Sequence, residues 1–133
     1  MKLLAKRLPL PLGLIDDNRR SLLALDNLID FLCLCVFRAE AAGHLFLVSD
    51  QDDVSTAQLL RGLGSAIGAN ARLFPVPRAI LRTTASIINK QRIYQRLCGS
   101  LVVDSSAASR LLGWSPPLCL EEGLRRAAIG FVE

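Results

Sequence analysis

The segment from residue 25 to residue 49 is the feature that most constrains the fold. Apolar residues recur at helical spacing from Leu25 to Phe37, and Gly43 stands where a helix commonly ends. A short apolar run follows at once, from His44 to Ser49, and it is typical of a buried strand. A helix that passes directly into a buried strand favours an α/β fold.

The rest of the chain continues this alternation. Ser55 followed by Gln58 is a capping-box pattern, which predicts the start of a helix that stops near Gly68. The other predictions are strands over 20–24, 72–77 and 100–104, and helices over 78–89, from Ser105 or Ser106 to 112, and over 120–131. Residues 90–99 are basic and are expected to be irregular or partly helical. The fold class is therefore α/β, with a partial, short-stranded sheet flanked by four to five helices.

Composition limits the class of protein. Hydrophobic residues make up 51% and charged residues 21% of the chain, which argues against a disordered protein. Because aromatic residues are only 5%, we expect a core of Leu, Ile, Val and Ala. No targeting segment or membrane span is predicted.

Cysteine and histidine usage argues against a structural zinc site. The four cysteines at 33, 35, 98 and 119 include no Cys-x-x-Cys pair, and His44 is the only histidine. A zinc ion needs three or four ligands, so a zinc site is not expected. Reduced thiols and a cytoplasmic location fit this pattern best.

Three segments carry a resemblance to a known family. Arg20 with Ser21 to Asp30 resembles the Arg-Ser/Asp-Phe/Leu-x-x-x-Asp-Asn/Asp-Leu segment of the extended short-chain dehydrogenase/reductases, the NAD(P)-dependent sugar-nucleotide epimerases, dehydratases and reductases. Gln95 to Asp104 is similar to their Arg-x-x-Gly-Asp region, and Leu111 to Pro116 to their Leu-Gly-Trp/Tyr-x-Pro signature. The motifs keep the family's order from about residue 8 to residue 126.

The resemblance implies a role for four residues. In the family, the two matching arginines contact the diphosphate of the sugar nucleotide, which implies that role for Arg20 and Arg96. Leu10 and Leu12 match the extended segment that packs along the nucleotide base, although a plain connector explains them equally well. Ser100 stands where many members have an aspartate that helps to hold the ribose. The first of these segments lies past the cofactor domain in the family, so residues 1–133 are expected to form one truncated substrate-binding domain without a Rossmann half.

The sequence lacks the family's catalytic pair and offers no cofactor-binding motif. The family's Tyr-x-x-x-Lys pair is absent, because Cys98 follows Tyr94 at the lysine position. The glycines at 62, 64 and 68 fall inside or at the end of a predicted helix rather than in a strand-to-helix turn, so they are interpreted as small residues of a packed helix face, with Gly68 as the cap. The resemblance implies that NAD or NADP serves the complete enzymes, with no cofactor held by this chain. Asp50, Asp52 and Asp53 are interpreted as a solvated turn rather than a metal site.

Two hypotheses for function follow. The first is a UDP-sugar-binding domain that is inactive alone, closest to bacterial enzymes acting on UDP-N-acetylhexosamine derivatives for surface polysaccharide. The second is a non-enzymatic interaction module that forms a homo-oligomer through an exposed apolar face. Neither a nucleic-acid nor a membrane partner is expected. Nucleic-acid binding would need salt-sensitive contacts and stacking aromatics, and Tyr94 is the only aromatic residue from 75 to 113.

Overall fold

The computed structural model describes residues 13, 15–68, 73–87 and 91–132. Their fold is α/β but mostly helical, with a two-stranded sheet and six helices in the described residues, which confirms the predicted class. The elements are β1 (Arg20–Ser21), α1 (Leu25–Phe37), a 3-10 turn (Ala39–Ala41), β2 (Asp53–Val54), α2 (Thr56–Ala66), α3 (Arg78–Ile87), α4 (Gln91–Cys98), α5 (Ser106–Leu112) and α6 (Leu120–Val132).

The sheet is smaller than predicted and uses a different second strand. β1 runs antiparallel to β2, with Arg20 opposite Val54 and Ser21 opposite Asp53. On its other side β1 makes a single parallel bridge to Leu101, where the Ser21 amide donates to the Leu101 carbonyl at 2.9 Å. β2 begins at Asp53, the last residue of the segment that the sequence analysis interprets as a solvated turn. It was missed because it is only two residues long and begins at an exposed aspartate, so it lacks the apolar run that predicts a strand. The Ser21 hydroxyl also donates to the Asp53 carboxylate across this pair at 2.6 Å.

The predicted buried strand over residues 44–49 is wrong. These residues form no regular strand, although burial alternates along them. Phe46 and Val48 pack against the core, whereas Leu45 is 89% and Leu47 is 52% exposed. In the described residues the sheet contains only β1 and β2, so this segment is not part of a ladder. Residues 73–77 also lie outside the two strands of the sheet.

Several helix ends lie where the neighbouring residues predict them. The capping box at the start of α2 is present, with the Gln58 amide donating to the Ser55 hydroxyl at 3.0 Å and the Ser55 amide donating to the Gln58 side chain at 2.8 Å. α5 ends at Gly113, whose φ of 66° is the left-handed conformation that favours glycine. α1 ends at Phe37, before the predicted Gly43, because a separate 3-10 turn intervenes. The basic stretch 90–99 contains a regular helix, α4.

The core is centred on aromatic rings, which corrects the prediction of a purely aliphatic core. Phe31 of α1 packs edge-on against Trp114 at 5.1 Å and against Phe46 at 5.6 Å between ring centroids. Ala108 and Leu112 of α5 complete the buried cluster. The indole N–H donates to Asp30 at 2.8 Å, so the tryptophan is buried without an unpaired donor.

The opposite side of α1 is apolar and exposed. Leu25, Ile29, Leu32 and Val36 recur at the spacing of one helical face, and each is more than half exposed. We call these four residues the α1 stripe. Among the described residues, no helix is both long and apolar enough to cross a membrane.

Acid is expected to weaken the fold partly through Glu122 on α6. Arg125 donates two hydrogen bonds to this carboxylate, at 2.7 and 2.8 Å, and Arg126 donates one at 3.0 Å. These bonds, with Arg125 first, lower the pKa of Glu122 from 4.5 to about 2. Because the folded-state pKa is depressed, the stabilisation is present above the unfolded pKa and is lost as the pH falls through the folded value. Urea midpoints should therefore show Glu122→Gln less stable than the parent above pH 4.5 and converging with it near pH 2. Glu121→Gln, one residue away, should show no such convergence.

Candidate functional site

Arg20 lies on β1 with its guanidinium next to the end of α4. Its Nη2 donates to the Gly99 carbonyl at 3.2 Å, and its Nε is buried with no hydrogen-bond partner. An unpaired buried donor is uncommon and costs free energy, so it is a place where an acceptor would stabilise the protein. The guanidinium of the predicted site residue is thus held at one point, and its Nε–H is a buried donor without an acceptor.

Asn18, which sequence reasoning missed, joins the elements around Arg20. It is only 2% exposed, and its Nδ2 donates to Thr56 at 2.9 Å and to the carbonyls of Leu97 and Gly99 at 3.4 and 3.3 Å. Its carbonyl accepts from the Thr56 amide at 3.0 Å. Asn18 therefore ties the start of α2 to the end of α4. The only sequence signal was its place directly before Arg19 and Arg20.

Arg96 lies in the last turn of α4, three residues before the carbonyl that Arg20 contacts, and is exposed. The chain leaves this helix through Gly99, where a Cβ would lie 2.6 Å from the Gln95 carbonyl oxygen. Glycine is therefore required for the tight exit that brings Gly99 to Arg20. The structure brings both predicted arginines to the C-terminal end of α4.

The charge of these two arginines is not neutralised within the described residues. No carboxylate there forms an ion pair with either side chain, whereas Arg61, Arg125 and Arg126 each have an acidic partner. Guanidinium groups grip phosphate oxygens through paired N–H donors and stay charged at all physiological pH values. Two guanidinium groups without a carboxylate partner therefore lie at the C-terminal end of α4.

The other residues implied by the resemblance differ in outcome. Leu10 and Leu12 lie outside the described residues. The Ser100 hydroxyl accepts a hydrogen bond from the Arg19 amide at 3.0 Å, so it is engaged in holding the backbone next to Arg20. Of the remaining basic residues between 72 and 92, Arg82 and Arg92 are exposed to solvent, as an ordinary charged surface would be.

Gly62 and Gly64 are packing residues of α2, as predicted. A Cβ on Gly62 would lie 2.8 Å from the Leu124 Cδ1 of α6, and Gly64 is buried within the helix. Gly68 follows the helix with a φ of 65°. Because all three lie within α2 or at its end, they form no phosphate-binding turn.

Asp50 is buried, which corrects its assignment to a solvated turn. Its carboxylate accepts from the Ala24 amide at 2.9 and 3.1 Å and from the Asn27 side chain at 2.7 Å. Ala24 precedes α1 and offers no side-chain cap, so Asp50 supplies the missing acceptor from a distant part of the chain. Asp52 and Asp53 are exposed. Within the described part of the chain, no group of three or more His, Cys, Asp or Glu residues could hold a metal ion.

A cavity of about 440 Å³ lies between α1, α2 and α6, away from the two arginines. Leucines such as Leu22, Leu59 and Leu124 make up half of its lining residues. Its charged rim contains Asp26 and Arg126, which neutralise each other at 3.2 Å. The cavity therefore adds no group to the candidate site.

Comparison with known proteins supports the predicted family. No protein-family model and no solved structure matches the chain. Over all 133 residues the chain is 40% identical to a UDP-glucose 4-epimerase from Vibrio cholerae, and it spans only 40% of the length of that relative. The resemblance inferred from the motifs around Arg20 and Arg96 is thus confirmed over the whole chain, all of which is similar to part of a sugar-nucleotide epimerase.

Proposed function

We propose that this chain binds a UDP-sugar and that Arg20 and Arg96 hold its diphosphate. The observation that carries the proposal is that Arg20, whose buried Nε lacks an acceptor, and the unneutralised Arg96 both lie at the C-terminal end of α4. A phosphate oxygen would supply that acceptor, and the two guanidinium cations would match two negative charges of the diphosphate. A relative that is named for a UDP-sugar makes this class of ligand the natural choice.

In this proposal residues 1–133 form one domain, and this domain is the substrate-binding part of an epimerase-like protein. In the parent family a nicotinamide cofactor supplies hydride chemistry at the sugar ring. The residues of this chain bind and orient the diphosphate, and the sequence offers no Tyr-x-x-x-Lys pair to move a proton. We therefore expect no turnover by the chain alone. A cytoplasmic location remains a prediction from the cysteine pattern.

Calorimetric titration of UDP-N-acetylglucosamine and UDP into the purified chain tests the proposal. An Arg20→Ala/Arg96→Ala variant should bind on the order of a hundredfold more weakly, because two charge-assisted contacts are lost. Uridine, which lacks the diphosphate, should bind weakly to both proteins.

A matched control separates the site from simple loss of charge. Arg38→Ala/Arg110→Ala removes two exposed arginines from other parts of the fold and should leave UDP binding unchanged. Equal weakening of UDP binding by the two double substitutions would show that the effect is general electrostatic attraction. Absence of binding at millimolar UDP would refute the proposal.

A second candidate, self-association, is favoured by the α1 stripe. Four large apolar side chains at helical spacing form the kind of surface that pairs with a second copy. In this alternative the chain is a non-enzymatic module whose homodimer buries the stripe. Light scattering should then give a dimer mass for the parent chain and a monomer mass for Ile29→Lys/Val36→Lys.

A further inference from the structure

Acidic residues are absent from one long segment of the chain. All 12 Asp and Glu residues lie before residue 54 or after residue 103, whereas seven of the 16 Lys and Arg residues lie between these positions. The other nine basic residues share the rest of the chain with the 12 acidic ones, so the segment has a formal charge of +7 and the remainder −3. Such asymmetry within one chain indicates contact with an anionic partner.

Helices α3 and α4 belong to this segment and pack on each other. Arg82 of α3 and Arg92 of α4 are exposed, and neither forms an ion pair within the described residues. Exposed arginines are ordinary on a surface that also carries carboxylates, but the sequence of these two helices contains none. The helix pair therefore presents cations that no neighbouring residue of the segment neutralises.

The same helix pair also exposes large apolar side chains. Ile80 is 55% and Ile87 is 84% exposed, and their spacing of seven residues places them on one side of α3. Exposed aliphatic side chains next to arginines, on helices of low overall hydrophobicity, are typical of segments that lie in the headgroup region of a membrane. We call Ile80, Arg82, Ile87 and Arg92 the α3–α4 surface.

We propose that the α3–α4 surface docks onto a bilayer that contains anionic phospholipid. The arginines pair with lipid phosphates, and the two isoleucines enter the boundary between headgroups and acyl chains. Arg82 also lines a cavity of about 410 Å³ between the helices, whose other lining side chains all carry a polar group, so a phosphate headgroup has room beside it. A membrane partner was not expected because no segment is long enough to span a bilayer, but a peripheral contact needs no such segment.

A lipid surface fits these residues better than a nucleic acid does. Proteins hold single-stranded nucleic acids with aromatic side chains that stack on the bases, and the half-buried Tyr94 is the only aromatic residue from 75 to 113. Phosphates of a nucleic acid would match the arginines but would leave Ile80 and Ile87 in water. Acyl chains would cover both isoleucines.

Flotation with lipid vesicles provides the test. At physiological ionic strength the purified chain should float with vesicles of phosphatidylcholine and phosphatidylglycerol, and not with phosphatidylcholine alone. Salt at about 1 M should release it, because the Debye length then falls to about 3 Å. Arg82→Glu/Arg92→Glu should lower the vesicle partition coefficient on the order of a hundredfold, and Ile80→Gln/Ile87→Gln on the order of tenfold.

Arg38→Glu/Arg110→Glu is the matched control, since it makes the same change in net charge at exposed arginines outside the segment and should float like the parent. Far-UV circular dichroism verifies that every variant folds, and flotation of the parent chain stands independently of them. Absence of flotation with the anionic vesicles, or an equal loss in the control, overturns the proposal. Binding to a single-stranded oligonucleotide without flotation would assign the surface to nucleic acid instead. Flotation needs no nucleotide and leaves Arg20 and Arg96 unchanged, so its result is separate from the UDP titration.

Discussion

Phe31→Ala is expected to lower the free energy of unfolding by about 3–5 kcal/mol, the range for removing a large buried aromatic side chain. Phe31 is buried and contacts the rings of both Trp114 and Phe46. Its loss would leave a cavity in the centre of the core and would remove two edge-to-face contacts. Urea unfolding followed by far-UV circular dichroism measures the change without relying on the fluorescence of the neighbouring tryptophan.

Phe37→Ala provides the control for this prediction. It makes the same chemical change on the same helix, but Phe37 is 85% exposed. The change in unfolding free energy should stay within roughly 0.5 kcal/mol, as for most surface substitutions. Similar losses from both variants would show that Phe31 contributes helix propensity rather than packing.

Asp50→Ala is expected to cost about 2–4 kcal/mol, because it leaves buried donors without an acceptor. The Ala24 amide and the Asn27 side chain both donate to this carboxylate. Asn27 also donates to the Leu118 carbonyl and accepts from the Leu118 amide, both at 2.9 Å. Loss of Asp50 would therefore loosen the start of α1 and its link to the chain that leads into α6.

Asp52→Ala tests whether the effect belongs to the buried carboxylate. It removes the same group two residues away, where the side chain is exposed, and should change the unfolding free energy by less than about 0.5 kcal/mol. Asp50→Asn should fall between the two, since an amide oxygen still accepts one bond while the charge is lost. If Asp50→Ala unfolds at the same urea concentration as Asp52→Ala, the capping role assigned to Asp50 is wrong.

The candidate site could be predicted in part. The arginines at 20 and 96 were identified from short motifs, and the structure brings both to the end of α4. Asn18 was missed because a lone asparagine has no distinctive pattern, and its partners lie 38 and 81 residues away. The unpaired Nε of Arg20 depends on the positions of surrounding atoms, which no local pattern contains.

The sequence by itself determined the features that depend on neighbouring residues. The capping box at Ser55, the left-handed stop at Gly113 and the helical face of α1 all arise from chemistry within a few residues. Only the tertiary structure decided the burial of Asp50, because its partner helix begins 25 residues earlier in the chain. It likewise decided that residues 44–49 have no ladder, because a strand exists only where a second segment supplies hydrogen bonds. Local energies act within one helical turn, whereas pairing and burial depend on which distant segments meet.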